Sequence, residues 1–334
     1  MTAQPLHYFD FSQEDRYTET MSGPVAEMWE QRQEGTFKGV DNLNIGWVSL
    51  TGYNHDKAII VVNGRIESYW KYQELFYDLV KKGYDVYAID HRGQGISDRL
   101  AQDNELGHVE EFDDYVTDLK TFFDTVVTPK KYKQHFLLGH SMGGTISTLF
   151  LAKYPSLIKR AVLSAPMHGI QLSNWMKPIA SPFARVVEQL QRQPDYAPGQ
   201  VPYYPKPFLN NKLCQSQIRY QWFRDLYENK PALKIGGPST RWVWQGMAAA
   251  NRCIKQAANI TTPILLIQGG DDNIVDNQAH HRFCQAMNQA NRSCELKVID
   301  GARHELLFEK DAYRNTVLAA TFSHLSQDNS TSST

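Results

Sequence analysis

The sequence predicts an α/β protein with a mostly parallel, doubly wound sheet and one long insertion. Short apolar runs bounded by turn residues alternate with amphipathic helical stretches, and this alternation stops between 167 and 256 and then resumes. Strands that alternate with helices form parallel sheets that helices cover on both faces. A chain of 334 residues is long enough for one such core with an insertion.

The elements before the insertion follow in order. We expect an N-terminal leader over 1–35, with a helix and a loop, and an antiparallel hairpin over 36–50, where turn residues interrupt the chain. Apolar residues between 69 and 82 recur at i, i+3, i+4 and i+7, the spacing of an amphipathic helix. Strands are predicted at 57–63, 85–90, 134–138 and 160–165, and helices at 69–82, 112–127 and 142–154.

Two further strands are predicted at 263–268 and 295–299, after the insertion. The core is therefore expected to comprise 36–166 and 257–325. The last residues, 326–334, are rich in Ser, Thr, Asn and Asp, and we expect them to form a disordered tail.

The charge balance, the lengths of the apolar runs and the cysteine pattern exclude several classes of protein. The chain has 35 Lys+Arg and 36 Asp+Glu, so a nucleic-acid partner is not expected. Its apolar runs are shorter than the roughly 18 residues of a membrane span, and its first residues lack the pattern of a signal peptide. The four cysteines are scattered and form no CxxC pair, which predicts reduced thiols in an intracellular protein.

The segment Gly139-His140-Ser141-Met142-Gly143 follows a predicted strand and opens a predicted helix. A serine on such a sharp turn has a strained backbone, and the flanking glycines allow strand and helix to approach closely. The turn presents the hydroxyl at a helix N-terminus, where developing negative charge is stabilised. We therefore predict that Ser141 is a nucleophile.

A serine hydroxyl needs a base that a third group orients. His304 follows the last predicted strand, and Asp271, Asp272 and Asp276 follow the strand before it. Ligands bind at the carboxyl ends of parallel strands, and the order serine, acid, histidine is typical of this turn. Spacing alone leaves the three aspartates open. Other histidines are expected to be solvated or to point away from the serine: His140, His280, His281 and His324.

An oxyanion hole needs two backbone N–H donors. Met142, directly after the serine, is expected to supply one, and Arg65, in the loop after the first long strand, the other. The side chain of Arg65 is either a contact for an anionic substrate or a solvated surface group.

These motifs resemble those of the α/β-hydrolase family, and within it the branch of monoacylglycerol lipases and bacterial lysophospholipases of the L-two type. The resemblance extends over about 35–320. It implies the α/β-hydrolase fold with 167–256 as a lid, Asp272 as the acid and Asp276 as a second aspartate. The motifs that carry the resemblance are Asp90-His91-Arg92-Gly93-Gln94-Gly95-Ile96-Ser97, Gly139–Gly144, Gln268–Asn277 and Gly301–His304.

The loop Asn63-Gly64-Arg65-Ile66-Glu67-Ser68 separates the two branches, because monoacylglycerol lipases usually begin it with His-Gly. The resemblance therefore implies a serine carboxylic-ester hydrolase that releases a fatty acid from lysophospholipids through an acyl-enzyme. Monoacylglycerol lipase and broad carboxylesterase activities are the alternatives. No metal or organic cofactor is implied. The motif residues Asp90 and Arg92 are expected to be structural.

The insertion holds 12 Lys+Arg and 4 Asp+Glu, a net charge of +8, which suits an anionic lipid or bilayer surface. The same charge disfavours a peptidase of this fold, which would need an acidic grip on the substrate amine. We expect a cytoplasmic protein in peripheral contact with the inner membrane. Four tryptophans either form the core of the lid or, at the Trp242–Trp244 segment, contact a quaternary ammonium group: Trp175, Trp222, Trp242 and Trp244.

Overall fold

The computed structural model describes residues 11–171, 177–191 and 193–327. In the helix that begins at residue 177, side chains are described from residue 182 onward. Trp175 and nearly all of the predicted tail lie outside the described residues. Eight strands form one sheet: β1 (Gln33–Lys38), β2 (Asn44–Leu50), β3 (Lys57–Val62), β4 (Asp85–Ile89), β5 (Gln134–His140), β6 (Arg160–Ser164), β7 (Ile264–Gly269) and β8 (Cys294–Ile299).

The strands lie in the order β1-β2-β4-β3-β5-β6-β7-β8. Strand β2 pairs antiparallel with β1 and β4, whereas all pairs from β4 to β8 are parallel. The predicted mostly parallel sheet is confirmed. Its central strands are buried on both faces, which is why they are continuous apolar runs in the sequence.

Ten α-helices lie among the described residues: α1 (Tyr17–Thr20), α2 (Ala26–Glu30), α3 (Gln73–Lys81), α4 (Asp113–Phe122), α5 (Met142–Lys153), α6 (Lys177–Leu190), α7 (Gln217–Asn229), α8 (Thr240–Lys255), α9 (Asn277–Gln289) and α10 (Asp311–Leu325). A π-helical segment, Met21–Val25, joins α1 to α2. One apolar core lies under α4, α5, α8 and α9, and the other under α1 to α3 and α10. The sheet is therefore covered on both faces, as predicted.

The antiparallel hairpin begins at Gln33, three residues before the predicted start at Thr36. Strand β1 is the edge of the sheet, and most of its residues are exposed or half-buried and polar. It carries almost no hydrophobic signal, so only its pairing with β2 defines where it starts.

The segment between β6 and β7 contains α6, α7 and α8. The first of these helices packs on α8, and α8 also packs on α5 within the main core. A smaller apolar cluster forms around α7. The predicted boundaries of the lid, 167 and 256, stay a prediction.

A cluster of buried charges attaches α7 to the core. Arg219 of α7 donates to Glu74 of α3 and Asp311 of α10, each at 2.8 Å, and Arg314 donates to Asp78 at 2.8 Å. Except for Asp311, these side chains are at most 3% exposed. We call these residues the ionic cluster: Glu74, Asp78, Arg219, Asp311 and Arg314.

Two expectations from the sequence were wrong. Cys284 and Cys294 form a disulfide across the short turn between α9 and β8, which brings their Cα atoms to 5.2 Å. His280 and His324 are buried rather than solvated, because the faces of α9 and α10 that carry them pack on the sheet. Within the described residues, the structure contains no helix that could cross a membrane.

Candidate active site

Ser141 lies at the turn between β5 and α5 with φ 52° and ψ −119°. Such a conformation is strained for a residue with a side chain. The backbone around this turn is closely packed. A Cβ at Gly143 would lie 2.1 Å from the carbonyl oxygen of Val62, and a Cβ at Gly139 would lie 2.5 Å from Ser147 Oγ. The two glycines thus permit the strained turn that presents Ser141.

The structure brings three predicted residues into one line of hydrogen bonds. Ser141 Oγ lies 2.9 Å from His304 Nε2, and His304 Nδ1 lies 2.7 Å from Asp272 Oδ2. His304 and Asp272 are buried, whereas Ser141 is half-buried and borders a cavity. This arrangement can pass a proton from the serine hydroxyl to an imidazole whose tautomer a carboxylate fixes.

Of the three candidate aspartates, only Asp272 contacts His304. Its other oxygen accepts the N–H groups of Ile274 and Val275. Burial opposes ionisation of Asp272, but His304 and these two N–H groups outweigh it and lower its pKa below the usual value. Asp271 is exposed, and Asp276 instead caps the N-terminus of α9.

The two predicted oxyanion donors lie beside the serine. Among the described residues, the N–H groups of Arg65 and Met142 have no hydrogen-bond acceptor. Gly64 packs against the serine, since a Cβ there would lie 3.2 Å from Ser141 Cβ. Unsatisfied donors beside a nucleophile are what a developing oxyanion requires.

Gln94, which belongs to the motif that begins at Asp90, holds this loop. Its amide donates to the carbonyl oxygens of Gly64 and Glu67, each at 2.8 Å. In a trans peptide the C=O and the next N–H point in opposite directions. Fixing the Gly64 carbonyl therefore directs the N–H of Arg65 away from Gln94.

A buried charge network joins the oxyanion loop to the histidine loop. Glu67 accepts the N–H of Gly64 at 2.6 Å and the ammonium of Lys71 at 2.8 Å, and Lys71 reaches Glu305 at 2.7 Å. Burial opposes ionisation of Glu67, but Lys71 and the other polar groups around it together outweigh burial, and the pKa of Glu67 lies well below its usual range. Sequence patterns gave no signal for Lys71 and Glu305, because only the fold brings them together.

His140 is buried against His304, with ring centroids 5.0 Å apart. Its Nδ1 lies 3.1 Å from the carbonyl oxygen of Ser164, and it forms no hydrogen bond with Ser141. Burial lowers the pKa of His140 to about 4, so its ring is neutral at pH 7. It therefore adds no positive charge beside His304.

A cavity of about 1000 Å³ lies above the serine. Apolar side chains line it from the core and from α6 and α8, and basic side chains line it from the loop after β3 and from the insertion. The apolar lining residues include Met142, Met167, Ile170, Phe183, Val243, Met247, Ile274 and Val275. The basic lining residues are Arg65, Lys71, Lys206, Lys212 and Arg224.

Two tryptophans of the insertion, Trp242 and Trp244, contact side chains of the protein itself. The Arg65 guanidinium lies 5.3 Å from the ring centroid of Trp242, and Trp244 donates to Glu188 while Arg185 lies over its ring. The structure thus favours the packing interpretation of these two tryptophans over the quaternary ammonium contact.

Comparisons with known proteins agree with this geometry. A family model described as Hydrolase_4, serine aminopeptidase S33, matches residues 53–311. The chain belongs to this family of α/β hydrolases. The predicted α/β-hydrolase fold and the prediction of a serine hydrolase are confirmed.

Among relatives, lysophospholipase L2 of Escherichia coli K12 is 39% identical over 334 residues, which cover 96% of this chain and 95% of that protein. Mouse monoglyceride lipase is 29% identical and covers 78% of this chain and 80% of its own length. A crystal structure of a soluble variant of Saccharomyces cerevisiae monoglyceride lipase superposes with a TM-score of 0.67 at 21% identity, covering 88% of this chain and 95% of that one. This last likeness concerns the fold alone.

Proposed function

We propose that this S33-family hydrolase is a lysophospholipase, which cleaves the carboxylic ester of a lysophospholipid into a fatty acid and a glycerophosphodiester. The observation that carries the proposal is the hydrogen-bonded line of Ser141, His304 and Asp272 under a cavity with both apolar and basic walls. The near full-length relationship to a lysophospholipase favours this substrate over a neutral glyceride.

The first half of the reaction forms an acyl-enzyme. His304 Nε2 takes the proton of Ser141 as Oγ attacks the acyl carbonyl carbon, and the N–H groups of Arg65 and Met142 donate to the resulting oxyanion. Asp272 keeps Nδ1 protonated and stabilises the imidazolium. His304 then gives its proton to the glycerol oxygen, and the C–O bond of the ester breaks.

The second half hydrolyses the acyl-enzyme by the same groups. His304 takes a proton from water, the hydroxide oxygen attacks the acyl carbon, and the oxyanion again accepts from the two backbone donors. Ser141 leaves with the proton that His304 returns, and the fatty acid is released. The apolar side chains of the cavity, among them Met167 and Met247, offer the acyl chain a dry surface.

Release of oleate from 1-oleoyl-lysophosphatidylethanolamine, 1-oleoyl-lysophosphatidylcholine and monoolein tests the proposal. We expect faster release from the two lysophospholipids. Ser141→Ala should reduce turnover roughly 10⁴-fold or more, whereas Ser22→Ala, at an exposed position of the segment Met21–Val25, should not. Preference for monoolein would keep the triad and overturn the substrate, and activity in Ser141→Ala would overturn the nucleophile.

A peptidase activity has less support. The acidic groups that line the cavity, Glu67 and Glu305, are both bridged by Lys71, at 2.8 and 2.7 Å. Their negative charges are therefore compensated, and they would bind a substrate amine weakly. Hydrolysis of proline p-nitroanilide faster than of the lysophospholipids would reverse this assignment.

We also propose that the cavity mouth contacts the inner membrane peripherally. Phe183, Val186 and Leu190 recur on one face of α6 and are 55–80% exposed. Phe183 borders the cavity together with Lys206 and Lys212, a combination that suits an anionic bilayer. Sedimentation with phosphatidylglycerol vesicles should exceed that with phosphatidylcholine vesicles and fall in Phe183→Ser. Equal sedimentation would contradict the proposal.

A further inference from the structure

Two arginines line the cavity above Ser141 without forming an ion pair with any described carboxylate. Arg65 lies in the loop after β3, and its Nη1 donates to the carbonyl oxygen of Gly236 at 3.1 Å. Arg224 lies on α7, and its guanidinium carbon lies 4.8 Å from the ring centroid of Phe223. Neither therefore has a described carboxylate within ion-pair distance, and Arg224 feels the charge of Glu305 only at longer range.

Arg65 and Arg224 are half-buried, and the fully buried arginines of the described residues are arranged differently. Arg92, Arg219 and Arg314 each contact at least one carboxylate at 2.7 to 2.8 Å. A charge removed from water without a counter-charge is costly, so proteins normally pair it. Arg65 and Arg224 line one cavity without such a pair, so both guanidinium groups are available to an anion from outside the protein.

A second observation concerns hydrogen bonding. The Nε–H of Arg224 is buried and has no acceptor within the described part of the chain. Buried donors are nearly always satisfied, so an unsatisfied one needs an explanation. An anionic oxygen bound beside the guanidinium would provide the acceptor.

The two arginines belong to one wall of the cavity. Gly236, which Arg65 contacts, packs so closely on the backbone of Pro202 and Tyr203 that a Cβ there would lie 2.7 Å from Tyr203 N. The hydroxyl of Tyr203 donates to Glu228 at 2.9 Å and also lies close to Arg224. Contacts thus run continuously from one guanidinium to the other.

We propose that Arg65 and Arg224 bind the phosphate of the substrate's head group. This inference rests on the proposed lysophospholipase function. Arg65 is suitably placed to bind the phosphate. Its backbone N–H would face the acyl carbonyl, and its side chain is about as long as the glycerol unit that separates the carbonyl from the phosphate. Guanidinium groups bind phosphate through two parallel charge-assisted hydrogen bonds.

The test compares kcat/KM for 1-oleoyl-lysophosphatidylethanolamine and for monoolein, which share the acyl chain and differ in the phosphate. Arg65→Met and Arg224→Met should each lower the ratio of the two values about tenfold or more, the usual effect of losing a charge-assisted hydrogen bond. Arg65→Lys should restore part of the ratio. Lys206→Met, which removes another charge from the cavity wall, should change it less than about threefold.

Three outcomes would overturn the proposal. An equal fall for both substrates would give the arginines a structural role only, and an unchanged ratio would place the phosphate elsewhere. A fall in Lys206→Met as large as in the arginine variants would indicate general attraction of anions by the cavity.

A second measurement separates this inference from the proposed function. sn-Glycero-3-phosphoethanolamine should competitively inhibit hydrolysis of the neutral ester p-nitrophenyl butyrate, and glycerol should not. Arg65→Met should raise the inhibition constant about tenfold or more. If the wild-type enzyme is inhibited in this way yet cleaves no lysophospholipid, only the proposed function fails. If lysophospholipid is cleaved without this inhibition, the phosphate subsite fails.

Discussion

The ionic cluster contains fully buried arginines and the active-site cavity contains half-buried ones, and the partners of the two sets differ. In the ionic cluster, Arg219 and Arg314 are surrounded by carboxylates from α3 and α10. In the cavity, Arg65 and Arg224 have a carbonyl oxygen, a hydroxyl and aromatic rings as neighbours. The two sets of arginines therefore differ both in exposure and in the identity of their partners.

The backbone shows the same contrast. The ionic cluster lies on regular helices, whereas the cavity floor contains Ser141 at φ 52° and two N–H groups that have no acceptor in the described part of the chain. Strain and unsatisfied donors lower stability and persist where they serve chemistry. Four predictions examine this contrast, from the largest expected effect to the smallest.

Asp272→Asn should reduce kcat roughly 10³- to 10⁴-fold, because an amide no longer holds the productive tautomer of His304. The control is Asp276→Asn, which keeps a capping oxygen at the start of α9 and should retain nearly full activity. Steady-state kinetics with a soluble ester measures both. If Asp276→Asn were the more damaging change, the acid would have been assigned wrongly.

Arg314→Met should lower the free energy of unfolding by about 3–5 kcal/mol, because it leaves Asp78 buried without its counter-charge. Arg65→Met should change it by less than about 1 kcal/mol, since no described carboxylate loses a partner. Urea unfolding of the two variants measures the difference. Similar losses in both would remove the distinction between the two regions.

Gln94→Met should lower kcat about tenfold or more and change KM little, because the peptide between Gly64 and Arg65 would no longer be fixed. The same substitution at Gln278, which is exposed on α9, should have no such effect. A raised KM with unchanged kcat would show that Gln94 supports the cavity wall rather than the oxyanion donor.

His324→Gln should reduce the loss of stability between pH 7 and pH 5 by roughly 1 kcal/mol. Burial lowers the pKa of His324 to about 4, below the ordinary value near 6.5. The unfolded chain therefore binds the proton first as pH falls, so stability declines from about pH 6.5 towards pH 4. His281→Gln, on the exposed face of α9, is the control, and an equal change there would contradict the assignment.

Local sequence was sufficient for the elements that have a strong pattern. The central strands and α5 are nearly continuous apolar runs, and their predicted bounds are correct to within two residues. The polar edge strand β1 was placed less well, because an exposed strand has little hydrophobic pattern. The buried positions of His280 and His324 were missed for a related reason: a polar residue does not reveal which face of its helix packs inward.

The sequence by itself determined the fold class, the serine turn and the order of serine, acid and histidine, because turn geometry and chain order are local properties. Only the tertiary structure decided among the three aspartates, joined Gln94 and Lys71 to the oxyanion loop, and separated arginines that form ion pairs from those that line the cavity without one. These outcomes depend on contacts between residues far apart in the chain, such as Arg65 with Gly236 and Lys71 with Glu305. Spacing along the sequence carries no information about such contacts, since the fold alone sets the distances.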